Sequence, residues 1–205
     1  MFITFEGPEG SGKTTISNII EKRLEDIGYQ VVHTREPGGT PIAEQIRNII
    51  LDKANTMLDA RAEALLYAAS RRQHLVEKVW PALKEGKIVI CDRYIDSSLV
   101  YQGIARGLGI DDVLKANCFA LNYMPNLTFF IDVRPEVGLK RIEGRDKIDR
   151  LDKEAFSFHQ NVYNGYKKIA SMYKDRIITI DGERPSELVV KDIIKHIDLY
   201  LNSRR

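Results

Sequence analysis

Apolar residues recur along this chain with two different periods. Short β-prone runs occupy Phe2–Glu6, Gln30–Thr34, Lys87–Asp92, Leu127–Val133 and Arg176–Ile180. Each has the length of a buried strand. Longer stretches between them space their apolar residues three and four apart, as a helix requires. They are Thr15–Glu21, Ile42–Leu51, Ala60–Lys78, Asp111–Leu121, Ala155–Tyr173 and Pro185–Leu201. The last opens on Pro185, where proline favours a helix start. This alternation predicts an α/β fold, a mostly parallel sheet with helices on both faces. No repeat, low-complexity tract or linker breaks the pattern, so residues 1–205 are read as one domain.

In such a sheet ligands collect beyond the carboxyl ends of the strands. Charged residues crowd there. Glu6 closes the first strand, Arg35-Glu36-Pro37-Gly38-Gly39 follows the second, Asp92-Arg93-Tyr94 the third and Arg134 the fourth. After the first strand comes Gly7-Pro8-Glu9-Gly10-Ser11-Gly12-Lys13-Thr14, with Thr15 next. It fits G-x-x-x-x-G-K-[ST], the P-loop. Backbone N–H groups of such a loop converge on one anion, and the following helix dipole adds positive potential. Gly7 through Thr15 are therefore the candidate ATP-binding residues. Lys13 is expected to reach the β- and γ-phosphates, and the Thr14 hydroxyl to ligate Mg²⁺.

Composition narrows the partners. The hydrophobic fraction of 43 % suits a globular chain that buries a core. Lys plus Arg is 31 and Asp plus Glu is 29, a net charge of +2. That balance is too small to draw the chain to nucleic acid or an anionic membrane. No apolar run approaches the roughly 18 residues of a membrane span, and no signal peptide is evident. Cys91 and Cys118 lack metal-ligand spacing. Both are expected to be reduced core or near-core thiols in a cytoplasmic protein.

A P-loop does not by itself separate a switch GTPase, a motor ATPase and a small-molecule kinase. The sequence has no Asn/Thr-Lys-x-Asp for guanine and no D-x-x-G at a strand end, and it is short for a motor core. Arginines instead recur where a second anion could bind: Arg47, Arg71, Arg72 and Arg93. Arg93 is the strongest, because a strand delivers it directly to the active edge.

Four motifs carry a resemblance to bacterial thymidylate kinases. They are Phe5–Thr15, Thr34-Arg35-Glu36-Pro37-Gly38-Gly39, Ala68-Ala69-Ser70-Arg71-Arg72-Gln73-His74, and Asp92-Arg93-Tyr94-Ile95-Asp96-Ser97-Ser98 with Tyr101-Gln102-Gly103. The resemblance spans essentially the whole chain. It implies a five-stranded P-loop NTPase sheet with a mobile lid, and γ-phosphoryl transfer from Mg·ATP to thymidine 5′-monophosphate (dTMP), giving the diphosphate. By the same resemblance Arg93 and Arg47 grip the acceptor phosphate, Glu9 faces the deoxyribose 3′-hydroxyl, and Tyr67, often Phe in the family, stacks on thymine. Arg71, Ser98 and Gln102 address the base edge, Tyr101 crowds the sugar 2′ position, and Glu36 joins this dTMP-binding set. Asp92 stands near Mg²⁺, acting through its water shell.

The charged run Lys140–Arg150 falls in the lid, about 141–152. Some thymidylate kinases carry an arginine inside the P-loop where this chain has Gly10. The resemblance is thus to the class whose catalytic arginine comes from the lid. Arg145 and Arg150 are candidates for phosphates in transit, and Arg141 for covering the adenine. The resemblance also implies a homodimer. Two alternatives stay open here: a P-loop kinase for another acceptor base, and a non-catalytic ATP-binding regulatory module.

Overall fold

In a computed structural model, which describes residues 1–144 and 149–203, five parallel strands form one sheet. They are β1 (Phe2–Glu6), β2 (Val31–Arg35), β3 (Ile88–Asp92), β4 (Leu127–Asp132) and β5 (Ile177–Asp181), in the order β2-β3-β1-β4-β5. β1 is central. Phe5 pairs with Asp92 of β3 on one side and Phe129 of β4 on the other. The strand ends that carry the charged residues are therefore neighbours in space.

Strand side chains alternate between two cores, as the two-residue period demands. Ile3, Phe5, Ile88, Ile90, Phe129 and Ile131 face α1 (Lys13–Asp26) and α9 (Ser186–Asn202), meeting Ile20, Leu24, Ile193 and Ile197. Phe2, Val89 and Cys91 face the other way, toward Leu75, Val79 and Tyr94. Phe130 and Ile177 on that same side meet Val100, Val162, Tyr166 and Ile169, the last three from α8 (Phe156–Met172).

Element boundaries move where local chemistry decides them. β2 and β5 each run one residue further than the apolar pattern predicts, into Arg35 and Asp181. Pro185 stands just ahead of α9 and Ser186 opens it. α2 spans Pro41–Leu51 with proline in its first turn. The helix expected over Ala60–Lys78 is α3 (Ala60–His74), a π-helical turn at Leu75–Val79, and α4 (Trp80–Lys84). Asp59 caps α3, accepting from the N–H groups of Arg61 and Ala62 at 2.9 and 3.0 Å. The helix expected over Asp111–Leu121 is α6 (Ile110–Ala116) followed by a 3₁₀ turn at Cys118–Tyr123. That tighter turn rotates Cys118 outward, so only Cys91 of the two free thiols is buried. The strand periodicity does not reveal α5 (Ile95–Ser98) or the π-helical turn Leu99–Ala105, which carry several residues of the site.

Candidate active site

β1 ends at Glu6 and the chain turns at once through the glycine loop into α1. Gly12 is the N-cap residue of α1, in the left-handed conformation and with no side-chain cap among the described residues. The orphan N–H groups of that helix end suit an anion. Lys13 is buried, and its Nζ donates to the Gly7 and Pro8 carbonyls, both at 2.9 Å, and to Ser11 Oγ at 3.0 Å. Burial pulls its pKa down to about 7, and the nearby Arg93 pushes the same way.

The loop also seats against α7 (Pro135–Ile142). A Cβ on Gly10 (φ 69) would run into the Gly138 backbone, and a Cβ on Gly138 would run into the Glu9 carbonyl. Gly10 is thus a packing requirement of this loop.

β3 delivers Asp92 and Arg93 beside the loop. Arg93 has φ 70, a left-handed conformation costing a non-glycine residue on the order of 1 kcal/mol or more. Its N–H bonds Phe5 O at 2.9 Å, and the next N–H, of Tyr94, bonds Glu6 Oε1 at 2.7 Å. Arg93 Nη1 donates to Gly7 O, Ser97 Oγ and Tyr166 Oη at 3.0, 3.2 and 2.9 Å, and Nη2 to Glu9 Oε1 at 2.7 Å. Glu9 also accepts from Tyr101 Oη at 2.8 Å. Burial pushes the Glu9 carboxyl up, but Arg93, Lys13 and the Tyr101 hydroxyl outweigh it and hold the pKa at about 2. Beneath lies Glu6, raised to about 7 by burial and by Asp96, and accepting from Ser97 Oγ and Tyr166 Oη at 2.6 and 3.1 Å.

Asp92 Oδ1 is buried with no hydrogen-bond partner among the described residues, and His33 Nε2 lies 3.8 Å away. Burial would raise the Asp92 pKa, yet His33, Ser17 and Thr14 hold it low. A buried, ionised oxygen without a donor beside the Thr14 hydroxyl fits a hydrated divalent cation. Among the described residues no cluster of three metal-ligating side chains exists.

Two cavities adjoin at this edge. One is walled by the P-loop, Thr14, Thr15, Arg35 and Asp92. The other is walled by Tyr67, Arg71, Tyr94, Ser97, Tyr101 and Gln102. They share Glu9, Glu36, Arg47, Arg93 and Asp149. Arg47 donates to Pro37 O at 2.8 Å at the seam. Arg71 is 1 % exposed and its donors are largely committed. Nε bonds Glu36 at 2.7 Å, Nη1 bonds Asn117 at 2.5 Å, and Nη2 bonds Tyr94 O at 3.1 Å and Ser98 Oγ at 3.0 Å. One Nη1 hydrogen of its five remains. Glu36 is likewise taken, by Arg71 and by His74 Nδ1 at 3.0 Å. Ser98, read from the sequence as facing the base, stands behind Arg71 instead, and Ser97 lines the cavity.

On the lid side, Arg141 donates to Gly10 O at 3.5 Å and Gly182 O at 3.1 Å, beside the loop's outer edge. Arg145 lies outside the described residues. Arg150, expected over the phosphates, points elsewhere: Nη2 pairs with Glu63 Oε2, and Nε donates to Ile50 O at 3.0 Å. A buried carboxylate on α3 draws it to the far wall.

The family model for thymidylate kinase matches residues 5–193. The chain belongs to the thymidylate kinase family. It is 56 % identical over 195 residues to the thymidylate kinase of Clostridium novyi, covering 94 % of this chain and 95 % of that one. It is 56 % identical over 201 residues to that of Bacillus velezensis, covering 97 % and 95 %. A crystal structure of thymidylate kinase from Ehrlichia chaffeensis superposes with a TM-score of 0.79 at 35 % identity, over 97 % of this chain and 98 % of that one. The parallel α/β sheet and its P-loop are those of the family.

Within this thymidylate kinase framework, Glu63, Tyr166 and Gly138 lie outside the four motifs, and Glu6 and Ser97 sit inside them without a role read from the sequence. Glu6 is visible only as a charge at a strand end. Gly138 is visible only as a glycine inside a helix, which costs stability unless something must approach closely. Glu63 and Tyr166 carry no local signal, because their partners are 39 and 160 residues away.

Proposed function

We propose that this chain transfers the γ-phosphoryl group of Mg·ATP to dTMP, yielding the diphosphate for dTTP synthesis. The observation that carries this is the pair of cavities sharing Glu9, Arg47 and Arg93: one is built for a polyphosphate, the other for a flat polar ring. The acceptor phosphate has a second pKa of about 6 and is already largely dianionic at neutral pH, so no general base is needed. The protein's task is to align two anions and neutralise the charge that spreads in transfer.

Lys13 and the loop N–H groups take the donor phosphates. Thr14 and Asp92, the latter through water, would hold Mg²⁺, which would supply positive charge at the donor phosphates. Arg93 and Arg47 hold the acceptor phosphate at the seam. The Arg93–Glu9–Tyr101 chain supports Glu9 at the 3′-hydroxyl and Tyr101 against a 2′-hydroxyl. Tyr67 stacks on the base, Gln102 and the last Arg71 donor meet its edge, and Glu36 and Ser98 hold Arg71. Arg141 covers the adenine, and Arg145 is the lid residue left for phosphates in transit. The fold acts as one domain with its lid about 141–152.

We also infer a homodimer and a cytoplasmic enzyme. Exposed Ile42, Ile49, Met57 and Leu65 near α2 and α3 support the first, and two free thiols support a reducing compartment. No helix among the described residues is long and apolar enough to cross a membrane. The test is ADP release with Mg·ATP against dTMP, dUMP, dCMP and dGMP. The expected result is highest kcat/KM with dTMP and weaker use of dUMP, which lacks one methyl group, a difference of roughly 1–3 kcal/mol in a fitted pocket. Preference for a purine or cytosine acceptor would assign the same chemistry to another substrate.

A further inference from the structure

Glu63 of α3 has no role in the reading above, yet it is only 1 % exposed and gathers three side chains, Gln102 and Arg106 from one helical turn and Arg150 from a distant segment. Oε1 accepts from Gln102 Nε2 at 2.9 Å and from Arg106 Nε at 3.4 Å. Oε2 accepts from Arg106 Nη2 at 3.5 Å and from Arg150 Nη2. The arginines are themselves held, Arg106 by Glu154 Oε1 at 2.5 Å and Arg150 by Ile50 O at 3.0 Å. Such a buried carboxylate is kept in place because its charge is answered on both oxygens.

An ionised carboxylate offers acceptors only, whereas a glutamine amide has a donor end and an acceptor end. Gln102 can satisfy Glu63 only through its NH₂ group. Its Oε1 has no partner among the described residues, and the residue lines the base-side cavity. Reversing the amide would set two acceptors against each other in a buried site.

We propose that Glu63 is a positioning residue for base choice: it locks the Gln102 amide so that Oε1 faces the cavity as a fixed acceptor for a ring N–H. Thymine and uracil carry a hydrogen on N3. Cytosine carries a lone pair there, which the locked oxygen repels. An unlocked amide would rotate and accept either base. Discrimination at N3 thus rests on a residue that never touches the nucleotide, while Arg71, nearly saturated, adds one donor. This inference rests on the dTMP reading.

The experiment is kcat/KM for dTMP and dCMP in the wild type, Glu63→Gln and Glu63→Asp, with folding checked by circular dichroism and melting. Glu63→Gln can donate as well as accept, so it frees the Gln102 amide. The dTMP:dCMP ratio is expected to fall at least tenfold, through a raised dTMP KM more than a lowered kcat. Glu63→Asp keeps the charge for both arginines but draws back from Gln102, so the ratio falls by a smaller factor. A merely structural role would weaken both nucleotides together. An unchanged ratio in the folded variants overturns the proposal, and Glu63→Asp alone decides if Glu63→Gln does not fold. A wild type that phosphorylates other monophosphates but shows no preference for dTMP overturns the substrate reading as well.

Discussion

Lys13 shows how burial prepares a side chain for a ligand. Its Nζ is held by two loop carbonyls and one hydroxyl, all neutral, while desolvation and Arg93 disfavour its charge. A triphosphate reverses that balance, because opposite charge favours the protonated amine. The free protein therefore binds fewer protons at this site than the complex does above about pH 7. ATP binding should take up a proton in that window, and affinity should fall as pH rises through it. Below it the lysine is already charged and contributes no uptake. Calorimetry at about pH 8 in buffers of different ionisation enthalpy reads this directly; binding heats that do not depend on the buffer would show a charged lysine in the free protein. Lys13→Ala should fold and lose on the order of 10³-fold or more in kcat, since its lost charge acts on the transition state. Near-wild-type turnover would remove Lys13 from the chemistry.

At the level of elements, the P-loop keeps its shape by leaning on α7. Gly10 and Gly138 meet backbone to backbone, and Glu9, between the loop's turn and Arg93, rides on that contact. Gly138→Ala adds a methyl where the Glu9 carbonyl stands, so the loop must shift. Overpacking of this kind costs roughly 1–3 kcal/mol, and the displaced Glu9 should also raise the KM for both substrates. Thermal melts and steady-state kinetics check it; unchanged Tm and KM would mean the loop yields freely. The sequence makes the strand ends legible because their signals are local: the P-loop spacing, and Asp92-Arg93 after an apolar run. It likewise exposes Tyr101 and Gln102 through their motif. It hides what distant packing decides. Ser98 and Ser97 are adjacent, and only the turn of α5 sets which one faces the cavity. Arg150 reads as a lid arginine until Glu63, far away in sequence, claims it.

Across the whole molecule the exposed apolar surface is uneven. Met57 is 92 % exposed and Leu65 61 %, with Ile42 and Ile49 nearby in sequence on α2, which packs against α3. Single exposed apolar residues are ordinary, but a concentration of them on two packed helices and the loop that joins them, which carries Met57, fits a surface covered by a second copy. The same two helices carry Arg47, Tyr67 and Arg71 into the nucleotide cavity on their other side. A partner pressed on α2 and α3 would therefore brace the cavity wall, and assembly and acceptor affinity should be linked. Light scattering at micromolar concentration should give about twice 23.4 kDa. Leu65→Glu, which sets a charge on that surface, should move the mass toward the monomer and raise the KM for dTMP more than that for ATP, because the P-loop hangs from β1 and not from these helices. A wild type that stays at the monomer mass on concentration would reject the dimer. A monomeric Leu65→Glu with unchanged KM would keep the dimer and break the link to the site.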